Sequence, residues 1–107
     1  MKLQTRTLAD NALNFAVEAI QGWGHRPSGP PDYAGDWSLG MPILRDHRIG
    51  TVHVNDRWQG QDEFQHESPT TGVDQLEAGL RFYVVNYTGE EVEIPDAYCV
   101  PSNGVPA

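Results

Sequence analysis

The chain has 107 residues and a mass of 11.9 kDa, which fits one domain with a single hydrophobic core. It carries seven basic and fifteen acidic residues, giving a formal net charge of −8. This excess of negative charge argues against binding to nucleic-acid backbones or to anionic membranes. Six of the seven basic residues are arginine, the side chain best suited to bidentate recognition of an anion. The composition therefore suggests a scarce but specialised positive surface.

The chain has a single cysteine, Cys99, which excludes a disulfide scaffold and favours a reducing compartment. We expect the Cys99 side chain to be buried in the fold. The N-terminus lacks the apolar stretch of a signal peptide, and no apolar run reaches the length of a membrane span. We therefore expect a cytoplasmic protein. The four histidines show none of the tight spacings of zinc sites, so no metal or other cofactor is expected.

The first predicted element is a helix over residues 10–21, with Asp10 as N-cap and Gly22 as C-terminal stop. Its apolar residues recur at helical spacing on one face. Residues 22–40 are rich in glycine, proline and aromatic side chains, which predicts an irregular segment. We expect Trp23, Tyr33 and Trp37 either to pack this segment onto the body or to line a site.

Strands are predicted next, with a short one over residues 42–45 and a longer one over residues 49–54. Asn55 and Asp56 predict a tight turn into a return strand that starts at Arg57. The polar residues 59–66 indicate an edge strand or a loop.

A second helix is predicted over residues 71–87, with Thr71 and Asp74 as its capping pair. Residues 92–95 then read as a short extended segment. This order predicts an α+β fold with two helices packed on a small, mainly antiparallel sheet. We expect one domain over residues 1–100 and a frayed tail over residues 101–107.

Three blocks of the chain resemble the NinX-like family of small phage accessory proteins, a domain of unknown function. Residues 11–17 (NALNFAV) are similar to the family's ALDWAV segment, and residues 37–43 (WSLGMPI) to its WAQGGPII segment. A third block runs from Thr70 through LEAGLRFYV to GEEVEIP and resembles TPLIAAMRCYV…GDEVEVP. The second proline of the family's PTP start is missing, and residues 24–33 differ. The resemblance implies a phage or prophage origin and an accessory role without a known catalytic chemistry.

The residues also suggest a site for a small anion. Thr70, Thr71 and Gly72 would offer hydroxyls and free amides at the positive end of the second helix. Arginines of the hairpin region and the helix would pair with phosphate, while tryptophans stack on a base. The predicted ligand-binding residues are Trp37, Arg45, Arg48, Arg57, Trp58, Thr70, Thr71, Gly72 and Arg81. The competing interpretation is that the threonines only cap the helix and the arginines pair with surface carboxylates.

With the family resemblance, these residues suggest a non-enzymatic phage protein that sequesters a nucleotide-derived signal of host immunity. Apolar stripes on both predicted helices favour a homo-oligomer. The alternative is an interaction module that inhibits a host protein, which predicts an exposed acidic or apolar patch and no concave arginine-lined pocket. Mimicry of nucleic acid is disfavoured because the acids are spread along the chain. A small nucleotide hydrolase is the weakest hypothesis, because no base or nucleophile can be named.

Overall fold

The computed structural model describes residues 1–22, 30–62 and 69–98. These residues form three α-helices and two antiparallel sheets, which confirms the α+β class but adds a helix to the two predicted. The helices are α1 (Asp10–Gln21), α2 (Trp37–Asp46) and α3 (Gln75–Thr88). The strands are β1 (Lys2–Gln4), β2 (Ile49–Val54), β3 (Arg57–Asp62), β4 (Thr70–Gly72) and β5 (Glu91–Glu93). Single 3₁₀ turns cover Thr5–Thr7 and Asp96–Tyr98.

Helix α1 has the predicted bounds, and Leu13 and Val17 on its apolar face are fully buried. Gly22 ends it in the left-handed conformation, with φ of +79° and its amide donating to carbonyls of the last turn. The predicted N-cap is wrong by one residue. Ala9 occupies that position, and Asp10 is the first helical residue.

Helix α2 corrects two predictions, because residues 42–45 are not a strand and residues 37–40 are not irregular. The Asp36 side chain accepts a hydrogen bond from the Ser38 amide and so caps the helix. Pro42 lies in the interior of α2, where proline is normally disfavoured because it lacks an amide donor. Burial of Ile43 and Leu44 in the core offsets this local cost.

The hairpin of β2 and β3 confirms the predicted strand and turn. Asn55 and Asp56 have φ of +52° and +65°, as a two-residue type I′ turn requires. All six residues of β2 pair with β3, from Ile49 opposite Asp62 to Val54 opposite Arg57. β3 also pairs with β4 and is therefore the central strand, so the edge-strand prediction is wrong for residues 59–62. Residues 63–66 of that prediction lie outside the described residues.

Helix α3 packs on this sheet and begins four residues later than predicted, because Thr70–Gly72 form β4. Asp74, not Thr71, is its N-cap. The helix passes so close to the sheet that the Ala78 carbonyl lies directly over Gly60. Leu80, Phe82 and Val84 are completely buried, so α3 is the central helix of the core.

The two ends of the described chain meet in the second sheet, where β1 pairs antiparallel with β5. The predicted extended segment at 92–95 overlaps β5, but β1 was not predicted. Cys99, the tail at 101–107 and Trp23 lie outside the described residues. Of the aromatic residues expected to pack residues 22–40 onto the body, Tyr33 is buried, whereas Trp37 is 50% exposed. No helix in the described part of the chain is long and apolar enough to cross a membrane.

Candidate functional site

The nine predicted ligand-binding residues do not converge on one site. Trp37 and Arg45 lie near opposite ends of α2, about 12 Å apart along the helix axis at 1.5 Å per residue. Arg48 precedes β2, while Arg57 pairs with the last residue of β2, so these two arginines are about 20 Å apart along the sheet. A single small ligand cannot contact all of them within one chain.

A second group of predicted residues is brought together on β3, β4 and α3. Trp58 lies opposite Gly72 in the sheet, and Thr70 lies opposite Gly60. Thr70 is buried, and its hydroxyl donates to the Ala78 carbonyl oxygen at 2.6 Å. Because these residues form a strand and not the start of a helix, the expected helix-dipole anion site is wrong.

Arg81 is an internal structural residue, with only 8% of its surface exposed. Its Nε donates to the Leu8 carbonyl at 2.6 Å, and its Nη1 donates to the Thr71 carbonyl at 2.7 Å. Nη1 also lies 3.3 Å from a Glu77 carboxylate oxygen. Burial lowers the pKa of Arg81 and the Glu77 charge opposes this effect. The guanidinium therefore ties α3 to β4 and to the segment before α1.

The remaining predicted cations are exposed and separate from one another. Arg45 forms a 3.5 Å ion pair with the neighbouring Asp46, and such surface pairs contribute little. Arg57 is exposed next to half-buried Trp58, whose ring packs against His53 with centroids 5.1 Å apart. Arg57 thus keeps an accessible charge, but successive side chains of a strand project to opposite faces of the sheet, so Arg57 does not share a face with the Trp58 ring.

An acidic cleft of about 500 Å³ lies where the N-terminal ends of α1 and α3 meet the loop before α2. Four carboxylates line it, those of Asp10, Asp32, Asp74 and Glu77. The other lining residues are Asn11, Asn14, Ala34, Gly35 and Val73, so within the described ranges no arginine or lysine belongs to the lining. We call this feature the acidic cleft.

Asn14 holds the loop side of the acidic cleft in place. It is buried on α1, donates from Nδ2 to Oδ1 of Asp32 at 3.0 Å, and accepts at Oδ1 from the Ala34 amide at 2.8 Å. Asp32 Oδ1 also accepts from the Gly35 amide at 3.2 Å. A buried amide that bonds in both directions fixes the loop against the helix.

A variant of the capping box, in which Glu77 bonds to the residue before the N-cap, builds the α3 side of the acidic cleft. Asp74 Oδ1 accepts from the Glu77 amide at 2.8 Å, and Glu77 Oε1 accepts from the Val73 amide at 3.0 Å. The bonds of Asp32 and Asp74 within the described residues use Oδ1, which leaves each Oδ2 for a ligand. The Asp74–Glu77 spacing is a signal that the sequence contained, but the cleft itself depends on packing between distant segments.

The described residues contain no group of three or more histidine, cysteine, aspartate or glutamate side chains arranged to hold a metal ion. No family model matches the chain. No curated protein is significantly similar to it either. The resemblance to the NinX-like proteins therefore stays a prediction.

Proposed function

We propose that this chain is a non-enzymatic interaction module of phage origin that binds and inhibits a host protein in the cytoplasm. The acidic cleft carries the proposal, because four carboxylates line it and the described part of the chain adds no basic residue to the lining. Glu77 is paired with Arg81 behind the cleft, so the attraction depends on Asp10, Asp32 and Asp74. A cleft of this sign attracts an arginine- or lysine-rich segment and repels a nucleotide. The occupant we propose is therefore a basic segment of the partner protein.

The rim of the acidic cleft complements such a segment in a second way. Val73 lines the cleft and is 69% exposed, so it offers an apolar contact. Arginine and lysine side chains lay their aliphatic stems on apolar surface while the charged head reaches a carboxylate. The free Oδ2 atoms of Asp32 and Asp74 are suitable acceptors for that head group.

Isothermal titration with an octa-arginine peptide tests the charge preference of the acidic cleft. The triple variant Asp10→Asn, Asp32→Asn, Asp74→Asn should weaken binding about tenfold or more, because it removes three attractive charges and keeps the capping ability of position 74. The matched control Asp46→Asn, Asp56→Asn, Asp96→Asn makes the same change in net charge at exposed sites elsewhere.

The proposal predicts that the control binds within about threefold of the unmodified chain, since its three substitutions lie outside the cleft lining. Because both variants have the same net charge, a larger loss in the cleft variant measures the local contribution of the cleft. It also predicts one stoichiometric host protein that the unmodified chain and the control capture, and that the cleft variant does not. Equal weakening in both triple variants would show that only net charge matters, and the cleft would then have no role.

Sequestration of a nucleotide-derived signal is the second candidate, and the adjacency of Arg57, Trp58, Thr71 and Gly72 favours it. Arg57 could hold a phosphate or Trp58 could stack a base, but the two side chains project to opposite faces of the sheet, so another chain would have to complete either half of the site. Titration against a panel of cyclic nucleotides and ADP-ribose derivatives tests this candidate. No heat and no thermal shift across the panel would reject it. Recovery of an unchanged ligand after denaturation would separate sequestration from hydrolysis.

A homo-oligomer also remains a prediction, but the apolar stripes of the two predicted helices no longer support it. Most apolar residues of α1 and α3 are buried within the chain's own core, although Ile20 is only partly buried and Tyr87 is exposed. A different surface would have to carry self-association.

A further inference from the structure

We propose that strand β2 is the surface through which two copies of this chain associate. The two β2 strands would pair antiparallel across a two-fold axis and join two three-stranded sheets into one sheet of six strands. This inference does not depend on the acidic cleft, because it concerns the edge of the sheet opposite β4.

β2 is a long edge strand without the usual protection against pairing. The sheet order is β2-β3-β4, and within the described residues no backbone hydrogen bond joins residues 49–54 to a segment other than β3. Its sequence, IGTVHV, contains no proline, lysine, arginine or acid, and its six-pair register with β3 has no bulge. Proteins that avoid edge pairing protect their edge strands with proline, charged side chains or bulges.

The hairpin fixes which backbone groups of β2 face the open edge. In a two-residue hairpin the closing pair, here Val54 and Arg57, is a hydrogen-bonded pair. Bonding alternates along the strand, so Ile49, Thr51 and His53 direct their amides and carbonyls away from β3. An antiparallel register with Val52 opposite Val52 of the second copy places Thr51 opposite His53 of the second copy. Thr51 and the His53 opposite it then form a backbone hydrogen-bonded pair across the interface.

Charges at the two ends of β2 favour this antiparallel register. It brings Arg48 of one copy beside Asp56 of the second copy at both ends of the paired strands. A parallel arrangement would place Arg48 beside Arg48. The segment 45–57 carries three arginines and two aspartates, a net charge of +1 in a chain of net charge −8. The negative charge that would make two copies repel each other is therefore not concentrated at this edge.

The same register covers exposed apolar surface. Val52 and Val54 are 39% and 36% exposed on the outer face of the sheet. Val52 would contact Val52 of the second copy, and Val54 would lie opposite Gly50 of the second copy. Gly50 has open space on that face, since an added Cβ would meet only the Gln61 carbonyl oxygen at 3.9 Å.

Sedimentation equilibrium of the full chain, from about 5 µM to about 1 mM, tests the proposal over the range of weak interfaces. We expect a reversible monomer–dimer equilibrium. Val52→Lys should raise the dimer dissociation constant about tenfold or more, because it sets two ammonium groups against each other across the axis. Leu39→Lys is the matched control: Leu39 is 38% exposed but lies on α2, and its variant should dimerise within about threefold of the unmodified chain.

Amide hydrogen exchange identifies the edge directly. The amides of Thr51 and His53 should gain protection as the protein concentration rises, while those of Gly50 and Val52 are already protected at low concentration. Circular dichroism confirms that both lysine variants are folded. A chain that stays monomeric at the highest concentration would overturn the proposal. So would a dimer that Val52→Lys leaves intact, or one that leaves Thr51 and His53 unprotected. None of these results bears on peptide binding by the acidic cleft.

Discussion

Gly60 is the residue at which sheet and central helix come closest, and Gly60→Ala should strongly destabilise the fold. An added Cβ would overlap the Ala78 carbonyl oxygen, and it would lie 2.8 Å from the Ala78 carbonyl carbon and 3.0 Å from Gly79 Cα. All three atoms belong to the backbone of α3, so no side chain can rotate away. The sheet must instead move from the helix and loosen the bond from the Thr70 hydroxyl to Ala78.

Overpacking of this kind costs about 1 to 3 kcal/mol, and here we expect about 3 kcal/mol because only backbone can move. In a domain of this size that corresponds to a fall in Tm of roughly 12 to 24 °C. Urea and thermal unfolding followed by far-UV circular dichroism measure the effect.

Gly50→Ala is the matched control, because it makes the same change in the neighbouring strand where the nearest atom is 3.9 Å away. Alanine lowers the conformational entropy of the unfolded chain, so Gly50→Ala should be neutral or should stabilise the fold by up to about 1 kcal/mol. If Gly60→Ala unfolded within about 0.5 kcal/mol of the unmodified chain, the close approach of β3 and α3 would be refuted.

Three further predictions concern charged residues. Arg81→Met should cost about 3 to 5 kcal/mol in urea unfolding, because it removes the donor from the buried Leu8 carbonyl and the part-buried Thr71 carbonyl and leaves Glu77 without its ion pair. Arg81→Lys should recover only part of this, and an unchanged stability would contradict the internal role. Asp74→Ala should cost about 1 kcal/mol while Asp74→Asn costs less than half of that, and equal losses in thermal melts would exclude the N-cap. The hydrogen bond from Arg6 lowers the pKa of the Glu90 carboxyl in the folded protein. The stability that this pair contributes is therefore present above the ordinary pKa of 4.5 and is lost as the pH falls through the lower pKa of the folded state. The difference in urea midpoint between the unmodified chain and Glu90→Gln should therefore shrink in acid, and a difference independent of pH would be evidence against the pair.

The sequence predicted correctly those elements that have both a regular apolar period and a recognisable turn or terminal residue. The apolar period of α1 and the glycine after it determined that helix, and the Asn55-Asp56 turn determined the hairpin. α2 was predicted wrongly because Pro42 and Gly40 interrupt a short apolar run that fits a strand equally well. β4 was missed because three residues are too few for a period, and threonine and glycine suit a helix start as well as a strand.

The sequence by itself determined the α+β class, the negative charge, α1 and the hairpin, because these depend on composition or on neighbours a few residues apart. Only the tertiary structure decided which charges are used and which are gathered. Packing of α3 on the sheet turned Arg81 inward to the Leu8 and Thr71 carbonyls and separated the other arginines. Packing of α1 against α3, with the loop before α2 held on α1, brought acids at positions 10, 32 and 74 into one cleft. Contacts between segments so far apart along the chain leave no local pattern, so the site expected to be positive is replaced by one that is negative.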